Sequence, residues 1–129
     1  LLDIGEQERK AQNFSKALHF FEQGLQLSKE QENSILQLNL LSKIMMTYES
    51  MQDYHKGLDA GKEALVISRK IEIGVGEAVI FNLTGKMYQG LGEYDKALSF
   101  MRQSVSLAKK VKSKQVEANT RKNMGKVYN

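Results

Sequence analysis

A chain of 129 residues, 41% apolar and 26% charged, has ordinary globular composition and is one domain's worth of sequence. It has no cysteine, which excludes disulfides and thiolate metal sites, and no apolar run of the roughly 18 residues that a membrane span needs. The net charge of +4 is unevenly spread: residues 1–64 hold 7 basic and 10 acidic side chains, residues 65–129 hold 12 and 5. A basic half suits acidic peptides, nucleic acid or anionic lipid.

The absence of proline and the wealth of Leu, Lys, Glu, Gln and Ala favour helices. Seven are predicted in chain order. The first covers 1–11 and the second 14–30, where Asn13 stands as a candidate cap and Phe14, Ala17, Leu18, Phe21 and Leu25 recur at helical spacing. After "EQENS" (30–34) the third covers 34–50, with Asn33 as its cap. After "SMQD" (50–53) the fourth covers 54–72 behind Asp53. "IGVG" (73–76) is read as the next break, placing the fifth helix at 75–90. "GLGE" (90–93) leads into the sixth, at 94–112, with Glu93 a poorer cap. The seventh is 114–129, capped by Ser113. In the sixth, Tyr94, Ala97, Leu98, Met101, Val105 and Ala108 mark one apolar face.

The helices repeat as pairs at a period of forty. Phe14, Tyr54 and Tyr94 coincide, as do Ala17, Gly57 and Ala97, then Leu18, Leu58 and Leu98, then Leu25, Leu65 and Val105. Gly5, Met45, Gly85 and Gly125 form one upstream column; Glu8, Tyr48, Tyr88 and Tyr128 form another. A self-similarity of this length is the signature of stacked units that share a core. The small residues of these columns are placed where helix axes approach, and the large ones fill the space around them. Units are predicted at about 1–33, 34–73 and 74–113, with a partial one at 114–129. Both ends fall inside a unit and the chain begins with Leu1, so an excised piece of a longer protein is expected.

This pattern resembles the tetratricopeptide repeat. Phe81, Thr84, Gly85, Tyr88, Gly92, Tyr94, Ala97, Met101 and Ser104 follow the family's order. So do Leu41, Ile44, Met45, Tyr48, Gln52, Tyr54, Gly57, Gly61 and Ala64, and Leu1, Ile4, Gly5, Glu8, Gln12, Phe14, Ala17, Phe21 and Gly24. Arg121, Met124, Gly125 and Tyr128 open a fourth copy, with arginine where a large apolar residue is usual. The family's period is 34. The six extra residues per unit, about 9 Å of helix, are assigned to longer helices rather than longer loops. That resembles the long-repeat LGN/Pins cell-polarity scaffolds. The resemblance implies an all-α, right-handed superhelical solenoid of antiparallel helix pairs, a cytoplasmic setting and a protein partner.

It also implies a groove lined by the first helix of each pair. Its positions in this chain are Leu2, Asp3, Glu6, Arg9 and Lys10; Asn39, Ser42, Lys43, Met46 and Glu49; Val79, Asn82, Leu83, Lys86 and Gln89; and Asn119, Lys122, Asn123, Lys126 and Asn129. Asparagine is a mediocre helix former, yet Asn39, Asn82, Asn119 and Asn123 sit inside predicted helices. Their amides suit the backbone of an extended peptide, and Lys43, Lys86, Lys122 and Lys126 suit its carboxylates. The Lys–Asn pattern by which some members hold a terminal carboxylate is not matched in any register.

No catalytic constellation, cofactor motif or metal set is predicted. His19 and His55 lie outside the apolar columns and are expected in solvent. Gly74 and Gly76 lack a third glycine and a preceding strand, so they do not form a dinucleotide loop. Of the six methionines, Met45, Met101 and Met124 fall in core columns, and Met46 is expected to face the groove. Three functions follow. The preferred one is a non-catalytic scaffold module binding an acidic, extended or helical peptide. Nucleic-acid binding ranks lower, because eight of ten aromatics fall in framework columns and only Phe20 and Phe100 remain for base stacking. Self-association through exposed solenoid ends is the third.

Overall fold

With no proline to interrupt it, each segment satisfies its own backbone N–H and C=O groups as helix. A computed structural model describes residues 1–128: α1 (Leu2–Lys10), α2 (Phe14–Glu30), α3 (Ser34–Ser50), α4 (Tyr54–Lys70), α5 (Gly74–Gly90), α6 (Tyr94–Lys110) and α7 (Lys114–Tyr128). The helices from α2 to α6 are each 17 residues long. The added length of the forty-residue unit therefore lies in the helices, as expected.

One turn joins every pair. A residue with positive φ recurs at Gln12, Glu32, Gln52, Glu72, Gly92 and Lys112. At each site the amide of the next residue bonds back over the turn, as in Asn33 to Ser28 (2.8 Å) and Ser113 to Ala108 (2.8 Å), while the positive-φ residue bonds the intervening carbonyl. This is the Schellman closure, and its last residue is also the N-cap of the next helix. It ends α4 at Lys70 and α6 at Lys110, two residues earlier than expected. The break expected at 73–76 lies at 71–73 instead, and Gly74 and Gly76 belong to the first turn of α5. Glu72 and Lys112 are ordinary helix formers, so nothing in their chemistry marks the stop.

The caps divide by helix type. Asn33 accepts the Leu36 amide (3.1 Å) and Ser113 the Val116 amide (3.4 Å). Asn13, Asp53 and Glu93 cap nothing with their side chains. Each is engaged elsewhere: Asn13 donates to Glu8 (2.9 Å), and Asp53 and Glu93 face Lys56 (3.7 Å) and Lys96 (3.2 Å).

Two apolar clusters hold the stack. Ala17, Phe21, Leu40 and Ile44 join the first pair to α3; Leu38, Leu41, Met45, Ala64, Ile80, Leu83 and Met87 join α3, α4 and α5. Glycines set the approach distances. A Cβ on Gly5 would stand 2.6 Å from the Phe21 ring, and one on Gly85 2.7 Å from Met101 and 3.0 Å from the Ala97 carbonyl. Toward the C-terminus the core turns polar: Ser104 Oγ donates to the Ala78 carbonyl (2.7 Å) and meets the Thr120 hydroxyl (3.0 Å). Met45, Met87 and Met101 are fully buried, whereas Met124 is half-buried. Tyr94 and Tyr128, expected in the framework, are 55% and 63% exposed. Phe100, expected to be spare, stacks on Tyr88 at 5.5 Å.

Among the described residues, α1 packs on α3, α3 on α5 and α5 on α7, while α2, α4 and α6 stand further apart, α2 and α4 meeting through the half-exposed Lys29–Glu63 ion pair (3.0 Å). A stack whose odd helices meet and whose even helices splay is concave on the odd side.

Candidate functional site

The concave face is built from α1, α3, α5 and α7. Helical spacing sends residues three and four apart to the same side, so each helix contributes one polar stripe to it. The stripes are cross-linked from helix to helix. At the α1/α3 seam, Glu6 pairs with Lys43 and with Arg9 of its own helix. Burial alone would raise the Glu6 carboxyl; the two cations outweigh it and hold the group below its usual value. At the α3/α5 seam, Glu49 pairs with Lys86 at 3.0 Å. At the α5/α7 seam, the Asn123 amide donates to the Asn82 side-chain carbonyl at 3.0 Å.

Lys43 and Lys86 therefore lie on this face, but each meets a carboxylate of the same chain. Asn82 and Asn123 are together, and Asn123 is buried by the contact. Met46 and Val79 are half-buried and rest on the cluster containing Leu38 and Leu83. Asn39, Asn119, Lys122 and Lys126 are exposed, and Gln89 is half-buried. Among the described residues neither Lys122 nor Lys126 forms an ion pair. Asn129 lies outside the described residues.

A cleft of about 840 Å³ opens where α3, α5 and α7 end. Glu49, Lys86, Gln89, Asn123 and Lys126 line it from the groove. Tyr54, Tyr94 and Tyr128 line it too, and these were not anticipated as site residues. The contrast between Tyr54 and Tyr94 has a local cause. The Tyr54 ring lies against Gly90, where a Cβ would stand 2.2 Å from it. No described residue takes that place for Tyr94.

His19 and His55 are exposed, as expected. Among the described residues no three His, Cys, Asp or Glu side chains converge on one point, and no helix is long and apolar enough to cross a membrane.

No curated protein matches the chain. The family model described as Tetratricopeptide repeat matches residues 36–110, more than half of it. Repeats of this family generally mediate protein–protein interaction and scaffolding. The forty-residue register, the paired antiparallel helices and this match agree: the chain belongs to the tetratricopeptide repeat family.

Proposed function

We propose that the chain is a non-catalytic scaffold module whose concave face binds a peptide segment of a partner protein, with acidic side chains on the ligand. The observation that carries this reading is the face itself: a polar, helix-lined groove ending in a cleft beside Lys126, with Lys122 also exposed on α7. The acid preference is narrower than the residue count implies, because Glu6 and Glu49 already answer Lys43 and Lys86. Kinship with the long-repeat scaffold subclass and a cytoplasmic setting belong to the same reading; helices of 17 residues support the first.

The test is selection of a displayed library of disordered peptides on the immobilised domain, with the folded Lys86→Glu/Lys122→Glu variant as control. Enrichment of a shared acidic motif that the variant loses is the expected result. Equal enrichment on both would refute the groove as the site.

A second reading has a specific observation behind it. Tyr94 and Tyr128 are exposed beside Lys126, and an aromatic ring next to a cation is how single-stranded nucleic acid is stacked and held. Binding of a labelled oligonucleotide that weakens steeply between low and high salt would favour it over the peptide.

A further inference from the structure

The two ion pairs that cross the groove have the same separation. Glu6 to Lys43 and Glu49 to Lys86 are each separated by 37 residues, from one first helix to the next. The third step of that ladder, taken forty residues on from Glu49 and Lys86, runs from Gln89 to Lys126; Glu6 and Lys43 stand 43 residues before the second pair and occupy a different repeat position. Glutamine stands where the α3/α5 pair has glutamate, so the chain supplies a cation at the α5/α7 seam without its acid. Both residues line the same cleft, and the Asn123 amide lines it as well.

Building on the peptide-binding reading, the geometry points to the α5/α7 seam as the carboxylate seat: an acidic side chain of an extended partner peptide completes the third rung on Lys126. A compact ammonium beside a side-chain amide offers donors to such an oxygen. The same ladder predicts the ligand's register. One seam earlier, Met46 and Val79 give the groove its apolar patch, half-buried and open to a side chain. Neighbouring helix axes lie roughly 8–10 Å apart. Val79 and Gln89 also stand ten residues apart on α5, about 15 Å along its axis, and an extended chain covers the combined distance of roughly 17 Å in about five residues at 3.3 Å each. The ligand is therefore an extended peptide with an apolar residue about five positions from an acidic one.

The sharpest variant is Gln89→Glu. It writes the missing acid into the chain, changes one atom group on a half-buried surface and repeats, forty residues on, the pairing of Glu49 with Lys86. The displayed peptide library is selected on the native chain, on Gln89→Glu and on Lys126→Glu, and one enriched peptide is synthesised. The native chain is expected to enrich an apolar residue about five positions from Asp or Glu. Gln89→Glu is expected to keep the apolar preference and lose the acidic one, with the synthetic peptide about fivefold weaker, the scale of one half-exposed ion pair. Lys126→Glu loses the acidic preference too. An acidic preference that survives both variants, or that stands at no fixed spacing from the apolar residue, overturns the seat and leaves peptide binding intact. A folded native chain that enriches no peptide overturns both, and so does one that binds only an oligonucleotide.

Discussion

The middle of the array and its last helix carry the same columns in different surroundings. Phe81 is 5% exposed and sits under Phe100; forty residues on, Arg121 is exposed and reaches back to Glu117 at 3.0 Å. Gly85 lies against Met101 and the Ala97 carbonyl, whereas nothing stands within 4 Å of a Cβ on Gly125. Tyr88 stacks on Phe100 and has the Lys96 ammonium over its ring; Tyr128 is exposed, its hydroxyl accepting from Arg102 at 3.3 Å. A repeat position has no fixed energetic meaning. It prescribes a contact with the next even-numbered helix, and its value is that contact.

The largest test of this is to delete the ring and the arginine in turn. Phe81→Ala removes a buried aromatic from a packed seam and is expected to cost about 3–5 kcal/mol. Arg121→Ala removes a half-solvated i,i+4 partner and is expected to cost about 0.5 kcal/mol or less. Urea unfolding of both resolves the difference. Equal costs would mean that the last helix is as tightly held as the middle, against the comparison.

The glycine column is the next test. Gly85→Ala drives a methyl into Met101, which can bend away, and toward a backbone carbonyl, which cannot. A loss of about 1–3 kcal/mol is expected, the usual cost of overpacking. Gly125→Ala meets open space inside a helix and is expected to stabilise by up to about 1 kcal/mol, because alanine is the better helix former. Opposite signs at identical repeat positions would be read directly from the midpoints of thermal unfolding.

The periodic part of this architecture was open to reading from sequence, because a column of small residues facing a column of large ones is a volume rule. Gly5, Ala17, Gly57 and Ala97 are buried where the register put them. What escaped was information that the repeat does not encode at a single position. The Gly92 column was legible as a motif, yet its physical meaning, positive φ, extends to Glu32, Glu72 and Lys112 in the alternate turns, where charged residues hide it. The groove candidates lie on α3, α5 and α7, but their charges were counted singly. Whether Lys86 is available depends on Glu49, on a different helix, and a 37-residue separation does not stand out beside a period of forty.

The turns offer a smaller and cleaner contrast. Gly92 is the only glycine among the six positive-φ sites, and no atom lies within 4 Å of the place its Cβ would take. Any effect of Gly92→Ala is therefore conformational, an expected loss of about 1 kcal/mol. Lys112→Gly relieves the same strain before α7 but loosens the unfolded chain, for a net gain of about 0.5 kcal/mol. Should both changes prove neutral in denaturant titrations, the turns tolerate side chains at no cost and the six sites are equivalent.

The smallest effect separates the two ends of the groove by pH. Glu6 has a carboxyl held below its usual value in the folded chain, so it binds a proton less readily there than when unfolded. A depressed folded value adds stability that is complete above the unfolded carboxyl value and is lost as pH falls through the folded one. Glu6→Gln is therefore expected to cost up to about 1 kcal/mol at neutral pH, the scale of a partly exposed ion pair. That cost should shrink as the pH is lowered through the carboxylate range and vanish once Glu6 is protonated in both states. Gln89→Glu mirrors it at the other end, gaining stability at neutral pH and none in acid. If Glu6→Gln costs the same at every pH, its contribution is packing rather than charge, and the contrast in pH between the two ends of the groove disappears.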